Sequence, residues 1–205
     1  MITIIDYGAG NIRSVLRACG EVGAEAVITG DPQIIAKAEK IIFPGVGAAP
    51  SAMKVVKKLK IDKALKNAFQ AGVPILGICI GAQIILEKSE EGNQKCLGLV
   101  AGKTVRFRLE DKRLKIPHIG WNEVKVKQPH PLLEGIKARD EFYFVHSYYP
   151  QPTDGKNVYA MTDYGGDFCC ALGTRNLFAV QFHPEKSGRL GLELLARFAK
   201  WDGKM

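Results

Sequence analysis

Short apolar runs alternate with amphipathic stretches through the first eighty residues. Residues 2–5, 25–29 and 40–43 each read as a strand, bounded by polar or glycine-rich segments. Between the first two, Ile12, Val15, Leu16 and Cys19 recur at helical spacing and predict a helix over 11–22. Further helices are expected over 31–38, 51–59 and 62–71. They lead to the apolar run Pro74 to Ile78, a buried strand, with another helix over 82–88. Such alternation implies a parallel sheet with helices on both faces. From about residue 103 the pattern changes to short strands joined by turns, over 103–108, 122–127, 142–148, 157–163, 168–173 and 177–182, before an amphipathic helix over 188–200. No repeat, low-complexity tract or linker separates the two halves, so residues 1–205 are expected to form one α/β domain: a central, mostly parallel sheet flanked by helices, with additional antiparallel strands in the C-terminal half.

Composition narrows the class. With 46% hydrophobic residues in 205, a sizeable core is available. No apolar stretch is long enough to span a bilayer, and the N-terminus lacks the basic flank and cleavage site of a signal peptide, so a cytoplasmic protein is expected. The formal charge is +8, but Lys54, Lys57, Lys58 and Lys60 fall among Val55, Val56 and Leu59, the pattern of one helix with a solvated basic face. Basic residues are not interleaved with aromatics, which argues against nucleic acid; an acidic protein partner or a lysine-rich, thermophile-like surface stays open. Five cysteines, odd in number and without a Cys-x-x-Cys, suggest neither a disulfide framework nor a zinc site. Most are expected to be small core residues.

The exception is Cys79. The strand 74–78 stops at this cysteine, bracketed by Gly77 and Gly81, and a helix follows. That is the form of a nucleophile elbow with sulfur in place of a hydroxyl, because a sharp strand-to-helix turn strains the nucleophile's backbone and tolerates only hydrogen side chains beside it. N–H groups at the helix start would favour thiolate and stabilise an oxyanion. A buried structural cysteine beside a tight turn is the alternative. Two other loops follow strands, where open parallel sheets place ligands: Pro44-Gly45-Val46-Gly47, and Asp6 to Asn11, which begins like a dinucleotide fingerprint but has Arg13 where the third glycine belongs.

A cysteine nucleophile needs a base. Of four histidines, His130 lies between two prolines and is expected at the surface, whereas His118 and His146 are harder to dismiss. His183 is the strongest candidate, since it follows the apolar strand 177–182 and precedes Pro184 and Glu185. Proline fixes the turn, and a carboxylate held near the imidazole sets its tautomer. A two-ligand metal site is the rival reading, without further acidic or histidine partners in the neighbouring sequence.

GICIGAQ at 77–83, PGVG at 44–47 and QFHPEKS at 181–187, in this order, resemble class I glutamine amidotransferases, which carry a Cys-His-Glu triad on a flavodoxin-like α/β fold. IIDYGAGNIRSV at 4–15, PHIGWN at 117–122, FYFVHSYY at 142–149 and Lys186 narrow the resemblance to the glutaminase subunits of imidazole glycerol phosphate synthases, over nearly the whole chain. Ile80 and Ala82 stand where leucine and methionine are common.

The resemblance implies roles. Cys79 is the nucleophile, His183 the base and then acid, and Glu185 its orienter. Gln83 and Glu91 contact substrate glutamine, Val46 and Ile80 offer backbone N–H groups to the oxyanion, and His146, Ser147 and Tyr148 line the pocket, largely through backbone groups. Gln83, at i+4 from Cys79, would otherwise be ordinary helix surface. Asn11, Trp121, Asn122, Tyr143 and Lys186 are interface or gate candidates, with a core aromatic as the alternative for Trp121. Neither cofactor nor metal is implied. Glutamine hydrolysis through a thioester would supply ammonia to a separate (β/α)8 barrel cyclase subunit in an expected heterodimer, since the chain carries no P-loop and no room for an acceptor site. A paralogue serving another synthase, a stand-alone cysteine hydrolase and a non-enzymatic binding module are the alternatives.

Overall fold

A computed structural model describes residues 1–8 and 11–204. The strands, in chain order, are β1 (Ile2–Ile5), β2 (Ala26–Thr29), β3 (Lys40–Phe43), β4 (Ile75–Ile78), β5 (Lys88–Ser89), β6 (Gln94–Lys95), β7 (Gly102–Arg106), β8 (His118–Glu123), β9 (Lys125–Val126), β10 (Glu141–His146), β11 (Tyr148–Pro152), β12 (Val158–Asp163), β13 (Asp167–Thr174) and β14 (Leu177–Val180). The helices are α1 (Ile12–Glu21), α2 (Pro32–Ile35), α3 (Ala49–Lys58), α4 (Ile61–Gln70), α5 (Ile80–Ile84) and α6 (Gly188–Lys200).

Eight strands form the main sheet, in the order β2-β1-β3-β4-β14-β13-β12-β9. The first five are parallel, and β13, β12 and β9 continue antiparallel from β14. β1, β4 and β14 are buried along their whole length, which explains why they read as near-continuous apolar runs rather than alternating ones. Helix α1 packs on α6, while α2 and α3 pack on α4. One hydrophobic cluster runs from Ile2 to Trp201, so residues of both halves share it. Two small sheets, β10-β8 and β11-β7-β5-β6, complete the fold.

Several expectations need correction. The helix after Cys79 covers Ile80–Ile84 rather than 82–88, because the chain turns into β5 at Lys88. The strand expected over 122–127 is two pieces: β8 starts at His118 and pairs with β10, whereas β9 joins the main sheet. The strand expected over 142–148 divides likewise between β10 and β11, in different sheets. His130 is buried, not at the surface. Its ring stacks on Phe178 with centroids 4.0 Å apart, and its Nδ1 accepts the Leu132 N–H, so the prolines fold the imidazole inward as a cap. Trp121 is 52% exposed and is no core aromatic. Ala9 and Gly10 of the glycine-rich loop after β1 lie outside the described residues.

Candidate functional site

The carboxyl ends of neighbouring parallel strands converge on one cleft. β3 delivers Pro44 to Gly47, β4 delivers Cys79, and β14 delivers Gln181, Phe182 and His183. The cleft measures about 380 Å³, within the range of small-molecule sites. Val46, Cys79, Ile80, Gln83, Glu91, His146, Ser147, Tyr148, His183 and Lys186 all line it.

Cys79 sits at φ 54°, ψ −107°, in the left-handed half of backbone space that a side chain enters only at a cost. The turn closes because Gly81 carries no side chain: a Cβ there would lie 1.9 Å from the Phe43 carbonyl oxygen. Among the described residues Cys79 is the only cysteine at positive φ. Helix α5 is only five residues long, and the N–H groups of Ala82 and Gln83 both donate to the Cys79 carbonyl. Support for the sulfur from a helix terminus is therefore smaller than the sequence suggested.

His183 and Glu185 are bound together as the turn predicts. His183 Nδ1 bonds Glu185 Oε1 at 2.8 Å, with both side chains 2% exposed. The other nitrogen, Nε2, is buried without a hydrogen-bond partner among the described residues, and His183 lines the same cleft as Cys79. Burial by itself lowers the His183 pKa. The hydrogen bond to Glu185 and the proximity of Cys79, with the negative charge of each, outweigh burial and push it up to about 10. Glu185 Oε1 also accepts from Asn11 Nδ2 at 3.2 Å, and Asn11 Oδ1 accepts from the Ser14 hydroxyl at 2.6 Å. Asn11, expected at an interface, thus braces the carboxylate. Sequence spacing could not show this, because Asn11 and Glu185 are 174 positions apart.

Gln83 is buried, not helix surface. Its Nε2 donates to the Tyr148 carbonyl at 2.9 Å and to Gln181 Oε1 at 3.1 Å. Gln181 Nε2 in turn donates to Cys79 Sγ at 3.7 Å. Gln181 lies within the QFHPEKS motif, whose spacing alone assigns it no role. His146 Nδ1 donates to the same Tyr148 carbonyl at 2.8 Å, which leaves its Nε2 to accept from His118 Nδ1 at 3.1 Å. His118 Nε2 then accepts from Asn122 Nδ2 at 3.2 Å. Burial depresses the pKa of His146 to about 3 and of His118 to about 4, so both imidazoles are neutral at pH 7. Asn122, expected at the interface, is spent on this chain and on the Asp163 carbonyl.

The groups expected to meet a ligand are partly engaged. The Ile80 N–H donates to the Gly45 carbonyl at 3.3 Å, the Ser147 carbonyl accepts from Phe107, and Glu91 Oε2 accepts the Ala49 N–H at 2.7 Å. Trp121, Tyr143 and Lys186 gather at the surface: the Trp121 and Tyr143 rings lie 6.1 Å apart, and Lys186 Nζ sits 5.6 Å from the Tyr143 ring centroid. Among the described residues no three His, Cys, Asp or Glu side chains are placed to hold a metal ion, and no helix is long and apolar enough to cross a membrane.

The family model described as glutamine amidotransferase class-I matches residues 3–201. A protein of Aromatoleum aromaticum named imidazole glycerol phosphate synthase subunit HisH is 47% identical over 98% of each chain. One of the same name from Nitratidesulfovibrio vulgaris is 49% identical over 97% of this chain and 95% of its own. Among solved structures, PurLQS from Thermotoga maritima superposes with a TM-score of 0.73 at 19% identity, covering 97% of this chain and 96% of that one. The fold, its nucleophile turn and the matched span agree, and the chain belongs to the class-I glutamine amidotransferase family.

Proposed function

We propose that this chain is the glutaminase subunit of an imidazole glycerol phosphate synthase. It hydrolyses glutamine to glutamate and ammonia and passes the ammonia to a (β/α)8 barrel cyclase subunit, in a heterodimer that makes imidazole glycerol phosphate and aminoimidazole carboxamide ribotide for histidine biosynthesis. Full-length similarity to relatives bearing that name supports the reading. The observation that carries the chemistry is the strained Cys79 beside His183, whose Nδ1 is held at 2.8 Å by Glu185.

The reaction is acyl transfer. The Cys79 thiolate attacks the carboxamide carbon, His183 gives its proton to the departing nitrogen, and ammonia leaves a glutamyl thioester. Water, deprotonated by His183, attacks the thioester and expels the thiolate, regenerating the pair. Glu185 keeps Nδ1 protonated so that Nε2 is the nitrogen that exchanges the proton. Gln83 has both amide hydrogens committed to Tyr148 and Gln181, so its carbonyl oxygen is the atom available to accept from substrate N–H groups.

The oxyanion partner calls for a movement. Ile80 N–H reaches an oxyanion only when it leaves the Gly45 carbonyl, and Gly45 and Gly47 give the loop the freedom to turn over and aim the Val46 N–H. Partner binding at Trp121, Tyr143 and Lys186 supplies the bias. A thiol nucleophile in a chain with four further unpaired cysteines suits a reducing compartment, and we place the assembly in the cytoplasm.

Glutamate release from glutamine, measured for the chain alone and with the barrel subunit plus its ribulosyl ligand, tests this. Low activity alone and strong stimulation by the liganded partner are expected. Equal turnover in both conditions would overturn the gated-subunit reading.

A further inference from the structure

Gln181 is a primary amide with no exposed surface, at the end of an apolar strand. Burying an amide is unfavourable unless its groups are bonded, so its partners explain its presence. The orientation of that amide is forced from the backbone outward. The Tyr148 carbonyl can only accept, so the Gln83 atom touching it at 2.9 Å is the nitrogen. The second hydrogen of that nitrogen faces Gln181 at 3.1 Å, so the Gln181 atom there is the oxygen. What remains for the Cys79 sulfur, at 3.7 Å, is the Gln181 NH₂ group.

We propose that Gln181 is a further catalytic residue, a fixed N–H donor that holds the Cys79 sulfur as thiolate before attack and receives it again when the thioester is hydrolysed. The assignment rests on the glutaminase reading. An N–H on sulfur is strongest when the sulfur is anionic and weakens when it becomes a neutral thioester, so it favours the thiolate as nucleophile at rest and as leaving group in deacylation. This donor acts together with the protonated His183 imidazole on the same sulfur. Helix α5 is too short to supply a strong terminal field, and the Ala82 and Gln83 N–H groups are turned to the Cys79 carbonyl. Gln83, tied to both Tyr148 and Gln181, then fixes the donor from behind.

The test reads the sulfur directly. Gln181→Met keeps length and volume without a donor; Gln181→Glu keeps an oxygen toward Gln83 and removes the donor from sulfur. Alkylation of Cys79 by iodoacetamide, located by mass spectrometry and followed against pH, is expected to move to higher pH in both variants. At pH 7 the rate should fall about tenfold for Met and further for Glu, the scale of one hydrogen bond to a charged group. With glutamine, kcat should fall more than KM rises, and glutamyl thioester should accumulate. Superimposable alkylation curves in the folded variants would overturn the proposal. Because alkylation needs no glutamine, a failure of the glutaminase reading, seen as no glutamate release by the unaltered complex, is distinguished from a failure of the donor. If Met unfolds the chain, Glu alone decides, through the same pH curve.

Discussion

The backbone N–H of His183 donates to the Tyr143 carbonyl at 2.9 Å. The Tyr143 N–H donates at 3.0 Å to the Ser187 hydroxyl, which itself donates to the His183 carbonyl. Tyr143 therefore brackets the turn that carries His183 and Glu185, while its ring meets exposed Trp121 and the Lys186 ammonium at the surface. A partner pressing on this patch acts one peptide away from the base.

Trp121→Ala should accordingly weaken binding of the barrel subunit at least tenfold, since tryptophan is enriched among the few interface residues whose truncation costs about 2 kcal/mol or more. Its ring is 52% exposed, so the melting temperature of the free chain should hardly move. Calorimetric titration and a thermal melt read the two effects separately. A lowered melting temperature with unchanged affinity would assign the ring to packing instead.

Asn11 gives a sharper test, because interface and brace predict different readouts. Its backbone is at φ 76°, so Asn11→Gly removes the side chain without adding backbone strain. Losing the bond to the Glu185 carboxylate should lower kcat about tenfold while KM and partner affinity hold, by the scale of a charge-assisted hydrogen bond. Weaker partner affinity with kcat intact would return Asn11 to the interface.

The sequence carried the fold where burial is uniform and the site where motifs are local. Strands such as 2–5 and 40–43 are mostly apolar runs, and their parallel order follows from the helices between them. Cys79, His183 and Glu185 were legible because two glycines and one proline dictate their turns. Contacts between distant segments were not. Gln181 reaching Cys79, Asn11 reaching Glu185 and His118 reaching His146 depend on which strand ends lie side by side, and a residue's own neighbours say nothing of that. His130 misled because a histidine between prolines looks like a solvated turn, whereas here the turn folds back over Phe178 and Trp201.

Three buried histidines make stability depend on pH. Burial holds His118 and His130 at about 4 and His146 at about 3, all below the unfolded value near 6.5. Below that value the unfolded chain binds protons that these three refuse when folded, so the unfolding free energy falls as pH drops from about 6.5 toward 4, while His183, raised to about 10 and protonated in both states there, adds no slope. Each histidine contributes a slope of up to about 1.4 kcal/mol per pH unit. Urea unfolding at a series of pH values should show the decline begin near 6.5 and should show it shallower in His130→Phe, where the ring stack is kept and one titration removed. A flat profile between pH 7 and 5 would mean that these imidazoles take up protons while folded.

Tyr7 supplies the last prediction. Its hydroxyl is buried and has no hydrogen-bond partner among the described residues, and burial first, with the charge of Cys79 second, raises its pKa above the ordinary phenol value. The oxygen fills the space where Gly45 lacks a side chain: a Cβ on Gly45 would lie 1.8 Å from it. Tyr7→Phe removes a polar atom that has lost its water, so the chain should gain about 1–2 kcal/mol, read as a higher urea midpoint. The same contact predicts coupling. Gly45→Ala drives a methyl into the hydroxyl in the parent chain, but with phenylalanine at position 7 the nearest atoms are the ring tip and the Ile80 Cβ, each at 3.1 Å. The alanine should therefore cost at least about 1 kcal/mol less in the Tyr7→Phe background, within the range measured for residues in contact. Additive effects would mean that the loop carrying Gly45 shifts away from Tyr7 at little cost, and the PGVG segment would then be freer to turn over than its packing indicates.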